Sequence, residues 1–218
     1  MCGAYSLDKE LDQLMKRFSA SASEITHSRR YNVRPTQAVP VILNTRPGRI
    51  TLAAWGINPA WDKTGKKQII NARKDGLGKP TFKKSFNERR CLVLADGFYE
   101  WAQVPGQSRK RPFRFVLKSE GPFAFAGIWR EQEGGEGAEP HCAIITTEPN
   151  ALVGRVHDRM PAILRPEAEG DWLSLDTSPE QALELLAPYP EGEMRAYEVS
   201  TLVNSPAHDT PEVTRPAA

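Results

Sequence analysis

Cysteine is scarce in this chain: Cys2, Cys91 and Cys142 are the only three in 218 residues. Three cannot all pair within one chain, and no C-x-x-C occurs, so the pattern indicates neither a disulfide framework nor a cysteine zinc site. A reducing compartment fits this usage. The four histidines, His27, His141, His157 and His208, show no ligand spacing either, and no metal or cofactor is expected. No run reaches the ~18 apolar residues of a membrane span, and no basic start followed by an apolar stretch marks an export signal. G-x-G-x-x-G and G-x-x-x-x-G-K-[ST] are both absent, which removes the common nucleotide cradles. There is no internal repeat. A soluble, cytoplasmic protein of one domain over residues 1–213, with a disordered tail over 214–218, is the expectation.

Charge, by contrast, is plentiful but unevenly placed. The formal net charge is +2, yet from Trp61 to Lys118 there are 15 Lys/Arg against 5 Asp/Glu. That stretch is a candidate polyanion surface, although a merely solvated lysine face is an equal reading of the same residues. Five tryptophans accompany it: Trp55, Trp61, Trp101, Trp129 and Trp172. Aromatic rings beside cations suit stacking on unpaired bases, and they suit a core equally well.

Leu7, Leu11, Leu14, Met15 and Phe18 recur at helical spacing and predict an amphipathic helix over 7–18. After a polar loop, RYNVRPTQAVPVIL leads into an apolar strand, and Asn44–Gly48 into a turn before a second strand over 49–55. A long irregular segment follows, from Gly56 to about Pro80. A short helix is expected over 82–90. CLVLADGFYEW then predicts strand, Asp-Gly hairpin turn and strand, and further strands are expected over 112–117, 123–129, 142–147, 160–164 and 195–200. EQEGGEGAEP reads as a flexible acidic hairpin tip, and helical segments are expected over 148–153, 168–173 and 179–187. Many short strands with scattered helices indicate an α+β fold with a mainly antiparallel, barrel-like β-sheet and peripheral helices.

Four segments place polar residues in apolar surroundings: Met1-Cys2-Gly3, INAR with Asn71 and Arg73, GFYEW with Glu100, and VHDRMPAIL with His157 and Arg159. Each alone has an ordinary structural reading, as a buried cysteine, a turn asparagine, a solvated carboxylate or a satisfied histidine. Cys2 has a further property. Removal of Met1 would leave it a free α-amine beside its thiol, and that amine, with a reference pKa of about 7.7–8.0, condenses readily with aldehydes near neutral pH. The thiol can then close on the imine carbon as a thiazolidine.

Taken together, MCG, RYNVRPTQ, WGINPAW, INAR, ADGFYEW, VHDRMPAIL and VSTLVNSPAHDTPEV follow the order and spacing of the SOS response-associated peptidase (SRAP) family, and the resemblance runs from residue 1 to about residue 213. It implies a shield for abasic sites in single-stranded DNA, formed as a covalent DNA–protein crosslink; the imine chemistry adds AP lyase and self-reversal as expected side activities. By the same resemblance Cys2 is the nucleophile, Asn71 holds the sugar or the forming linkage, and Glu100 and His157 move protons. Arg73 and Arg159 resemble phosphate-gripping arginines, and Trp61 and Trp101 resemble aromatics lining the DNA groove. The implied partner is single-stranded DNA carrying abasic sites, with no membrane, no metal and a monomeric protein, nucleoid-associated in a bacterial host.

One departure stands out. The family opening is commonly Cys-Gly-Arg followed by an aromatic, whereas this chain has Cys2-Gly3-Ala4-Tyr5, so one phosphate contact is missing and Lys63, Lys66 and Lys67 are the candidates to replace it. Two other readings stay open. In the first, Cys2, His157 and Asn71 form a thiol peptidase set, limited to self-processing at Met1–Cys2 or acting on a peptide in trans. In the second, Cys2 is structural and the protein binds single strands passively.

Overall fold

The computed structural model describes residues 2–22, 25–106, 109–134 and 137–217, with backbone only at 133, 134, 137 and 138. Its strands are β1 (Tyr5–Leu7), β2 (Arg30–Val33), β3 (Ala38–Leu43), β4 (Ile50–Trp55), β5 (Asn71–Arg73), β6 (Arg90–Ala95), β7 (Gly97–Ala102), β8 (Arg111–Leu117), β9 (Phe123–Gly134), β10 (Gly137–Thr147), β11 (Met160–Pro161) and β12 (Met194–Glu198). The helices are short: α1 (Leu11–Phe18), α2 (Pro80–Glu88), α3 (Ala151–Gly154), α4 (Glu169–Leu173) and α5 (Pro179–Glu184). None among the described residues is long and apolar enough to cross a membrane.

Five strands close into a barrel. β10, β4, β3, β6 and β9 pair in that order, and β9 returns to β10 from Cys142↔Trp129 through Ile144↔Gly127. All contacts in the ring are antiparallel except β10 with β4, which are parallel at His141↔Ala54 and Cys142↔Trp55. The composition explains the barrel. AVPVIL, ITLAAW and RCLVLA supply β-branched and aliphatic side chains, and every residue of β6 is buried, because one face lines the barrel and the other lies under α4, where Trp172 Nε1 donates to Cys91 O at 3.0 Å. Gly127 permits the tightest approach: a Cβ there would lie 2.8 Å from Cys91 Sγ and 2.9 Å from Val93 Cγ2.

A second, five-stranded sheet runs β12-β8-β7-β1-β2. It packs on the barrel through aromatic rings. Tyr5 sits edge-on to Trp55 at 5.2 Å and to Phe125 at 5.7 Å, while Phe98 meets Phe125 edge-on at 6.2 Å. β5 and β11 extend the barrel sheet on either side of the end of β10.

The α+β, antiparallel, barrel-like expectation holds. The Asp-Gly hairpin does not: β6 belongs to the barrel and β7 to the second sheet, so Asp96-Gly97 is where the chain changes sheets. Asp96 is buried and accepts from Ser6 Oγ at 2.6 Å, Asp8 N at 2.7 Å and Arg114 Nη2 at 3.1 Å. Gly97 leaves room for this network, since an added Cβ would lie 2.9 Å from Arg114 Nε and 3.0 Å from Ser6 Oγ. The apex of the acidic hairpin lies outside the described residues, while β9 and β10 stay paired up to Gly134↔Gly137. The segment read as a free tail runs beside β12 up to residue 217, with Val213 buried beneath it and Ala217 N donating to Glu198 O at 2.8 Å.

Gly127→Ala forces a methyl against two barrel side chains and should cost about 1–3 kcal/mol, read as a lower urea midpoint at unchanged m-value. An unchanged midpoint would mean that the barrel is looser at that contact than this packing requires.

Candidate active site at the N-terminus

Backbone pairing places Cys2. Tyr99 N donates to Ala4 O at 3.0 Å, and Tyr5 pairs with Phe98, so the residues ahead of β1 run beside β7. On the other side Asn71, first residue of β5, is set by its parallel register with Ile144, and its Nδ2 donates to Cys2 O at 2.8 Å. Asn71 Oδ1 is buried with no hydrogen-bond partner among the described residues. Cys2 is itself buried, and among the described residues its thiol is hydrogen-bonded only to Ala4 O, at 3.7 Å.

Glu100 is the next residue along β7 and is 2 % exposed. Burial raises its carboxyl above the ordinary glutamate range, and the nearby His157 partly offsets this. The Cys2 thiol is pushed well up, first by burial and then by the charge of Glu100. A thiol in that setting stays protonated at neutral pH. His157 follows α3 and donates its backbone N–H to Val153 O at 2.9 Å. Its Nδ1 lies 3.0 Å from Arg159 N and 2.9 Å from Asp158 Oδ1. A backbone N–H only donates, so Nδ1 is the acceptor in the neutral ring and Nε2 carries the proton; on protonation Nδ1–H can turn to Asp158.

Cys2, Asn71, Glu100 and His157 therefore converge, and the two arginines stand beside them. Arg73 pairs with Thr146 across β5 and β10, and Arg159 Nη2 donates to Thr146 O at 2.7 Å. Between them sits Asp75. It takes both Arg73 Nε at 3.0 Å and Nη2 at 2.7 Å, and lies 4.0 Å from Arg159. The hydrogen bonds from Arg73 hold the Asp75 carboxyl below the usual range. The sequence reading passed over Asp75, although its place two residues after Arg73 in NARKD was a visible signal for this pair. Trp101 flanks Glu100; its Nε1 donates to Asn204 Oδ1 at 2.7 Å, and Arg34 lies over its ring at 5.7 Å.

Trp61 stands elsewhere. It is 60 % exposed on the loop between β4 and β5, with Lys67 Nζ 4.7 Å from its ring centre, and it lines a groove to which Cys2, Asn71, Glu100 and His157 do not contribute. Ala4, where a cation was expected, is enclosed with Tyr99, Val199, Val203 and Val213. No group of three or more His, Cys, Asp or Glu side chains that could hold a metal occurs among the described residues.

The family model described as SOS response associated peptidase (SRAP) matches residues 1–206. The chain belongs to the SRAP family. It is 40% identical over 221 residues to the abasic site processing protein YoqW of Bacillus subtilis, with 98% of each chain covered. It is 33% identical over 223 residues to the abasic site processing protein HMCES of Gallus gallus, covering 85% of this chain and 66% of that one. A solved structure from Bacteroides thetaiotaomicron superimposes with a TM-score of 0.87 at 24% identity over 100% of both chains, a likeness of fold. A phage-related protein from Bordetella bronchiseptica gives a TM-score of 0.74 at 28% identity, covering 92% and 95%.

The structure accounts for two SRAP motifs that carry no reacting group. Asp209 of SPAHD accepts from Tyr31 N at 2.5 Å, Asn32 N at 2.8 Å and Arg30 Nε at 2.5 Å. Asn32 Nδ2 lies 3.0–3.2 Å from the carbonyls of Val203, Ser205 and His208. These contacts tie RYN, and hence β2 beside β1, to the C-terminal segment.

The raised Glu100 carboxyl gives a stability signature. A group whose folded pKa exceeds its unfolded value binds its proton more tightly when folded, so stability falls as pH rises from about 4.3 through the raised value. Relative to the parent, Glu100→Gln should gain in urea midpoint across that window and then level off. A difference that is flat with pH would mean that Glu100 titrates normally.

Proposed function

We propose that this SRAP protein captures abasic sites in single-stranded DNA covalently through Cys2, after removal of Met1. The observation that carries the reading is the enclosure of Cys2 between the Asn71 amide and the buried carboxyl of Glu100. The abasic site processing names of its relatives point the same way.

An abasic sugar is mostly a closed hemiacetal, and a proton donor and acceptor are needed to open it. Glu100, kept protonated to higher pH by burial, can supply that proton. The α-amine of Cys2 adds to the aldehyde to form a carbinolamine. Loss of water, assisted by the Nε2–H of His157, leaves the imine. The thiol then adds: the S–C bond forms, the imine π pair goes to nitrogen, and the thiol proton follows it through Glu100. One water is released overall. The raised thiol pKa suits this order, because a protonated thiol waits while the amine attacks. Ring closure also removes the electron sink that would otherwise promote β-elimination, so arrest at the imine gives lyase activity and protonation of the ring gives reversal. Asn71, holding the Cys2 carbonyl, keeps the new amine in place, with its Oδ1 free to accept from the sugar.

Arg73 and Arg159 suit the flanking phosphates, and an incoming phosphate would replace Asp75 on Arg73. Trp101 and Trp61 suit exposed bases. Every group involved comes from one chain, so a monomer suffices. A trans-acting peptidase is a poorer fit: it needs a thiolate beside a histidine, whereas here burial and the charge of Glu100 hold the Cys2 thiol in its protonated form.

Met1-free protein mixed with an abasic single-stranded oligonucleotide should give a durable band that survives denaturation, absent with intact DNA and reduced with Cys2→Ala to an adduct that decays, since its α-amine can go no further than the imine. Cys2→Ser should give only an adduct that decays. Raising salt from about 50 to 200 mM should slow capture by about tenfold at sub-saturating DNA, given two to three phosphate contacts. A durable band from Cys2→Ala, or none from the Met1-free parent, would contradict the proposal.

A further inference from the structure

One groove of the molecule lies apart from Cys2. It holds about 580 Å³, with Trp61, Thr81, Lys84, Arg89, Arg130 and Glu131 along its walls. Its floor is fixed by Arg130, whose Nη2 donates to Thr81 O at 2.8 Å and whose Nη1 donates to Asn58 O at 3.3 Å. Arg89 comes from the end of α2 and lies over the Trp129 ring at 5.3 Å. The two guanidinium groups are close enough that Arg89, after burial, lowers the pKa of Arg130. Neither arginine forms a salt bridge with a carboxylate among the described residues, even though Glu131 is on the wall. Lys84 adds a third cation, and Lys67, on the ring of Trp61, a fourth at the edge.

Like charges held together without a carboxylate between them raise the energy of the unliganded protein and favour an anion that bridges them. The exposed indole narrows the class of anion. A large ring at 60 % exposure beside a cation is a stacking platform for a planar base. The groove is also connected to the reaction centre by chain: the loop that carries Trp61 is pinched by the Ile57↔Ile69 bridge and ends at Asn71.

We infer that this groove is a second nucleic-acid subsite, in which Arg89, Arg130 and Lys84 hold backbone phosphates of the strand flanking the captured sugar, one of its bases lying on Trp61. The inference deepens the capture reading and rests on it for the strand's identity. It predicts that the protein grips a longer stretch of strand than the Cys2 cluster alone would cover, without reading sequence, because phosphate and stacking contacts carry none.

The test compares Lys84→Gln/Arg89→Gln with the parent on intact single-stranded oligonucleotides of about 20 and about 4 nucleotides, lengths either side of one ordinary strand-binding site. Fluorescence anisotropy across a salt series should show long-strand affinity reduced by about tenfold and a salt slope smaller by about 2, one per lost phosphate contact. Crosslinking to a short abasic oligonucleotide should be unchanged, and Arg89→Lys should restore most of the slope. Urea midpoints equal to the parent's keep the comparison free of unfolding, and the exposed Lys84→Gln alone should lower the slope by about 1. Unaltered affinity and slope on the long strand would overturn the inference, as would an equal loss on the short one. If no protein crosslinks abasic DNA yet the double variant still binds long strands weakly, the groove stands and the capture chemistry alone fails.

Discussion

The site depends on one carboxylate that takes no part in its chemistry. Asp96 receives Ser6 Oγ, Asp8 N and Arg114 Nη2 at once, and so fastens the middle of β1 and the residue that follows it to the point where the chain leaves the barrel for the second sheet. The N-terminal segment of a protein is ordinarily free to fray. Here it is a central strand, with β2 on one side and β7 on the other. That position carries Cys2 into the interior. Arg114 is partly buried and also donates to Tyr197 Oη at 2.8 Å, so β12 is tied into the same knot. Removing one member of such a network would leave buried charge unpaired, a costlier change than losing the attraction itself.

Given that anchoring, the site's other properties follow from burial. Glu100 is held where its charged form is disfavoured, and the same low-dielectric surroundings keep the Cys2 thiol protonated. Only the Glu100 shift acts below neutral pH, where it costs stability as the carboxyl ionises and keeps a proton available to higher pH; the Cys2 thiol is protonated at neutral pH with or without its shift. The arginines differ. Arg73 is exposed and already neutralised by Asp75, while Arg159 is aligned by a carbonyl. Under the capture proposal, an arriving phosphate would compete with Asp75 before it binds, which would temper affinity for intact strands and leave the covalent step to supply permanence.

Much of this was legible in the residues alone. Many short strands with scattered helices indicated an antiparallel, barrel-like α+β fold, and Asn71 and Glu100 stood out as polar groups in apolar surroundings. Barrel closure was not legible, because it depends on the parallel pairing of β4 with β10, segments more than eighty residues apart whose local sequence says nothing of their partner. Asp96-Gly97 misled for a physical reason: the dipeptide that favours a tight hairpin turn also suits a sheet crossing, where the carboxylate is needed as an acceptor and the glycine for close approach. The C-terminal segment looked polar and proline-rich, and only the single apolar Val213 signalled that it packs. Trp61 resembled an aromatic of the DNA groove, and the fold sets it in a basic groove apart from the Cys2 cluster.

The central claim is that amine and thiol of the same residue, Cys2, both bond to the sugar carbon. Proteolysis of the crosslinked product followed by mass spectrometry, with and without borohydride, tests it most directly. The account predicts a peptide beginning at Cys2, heavier by the sugar fragment less one water, unchanged by borohydride, with its thiol closed to alkylation. A peptide that gains two hydrogens on borohydride treatment while its thiol remains alkylatable, or a sugar attached at any other residue, would contradict it.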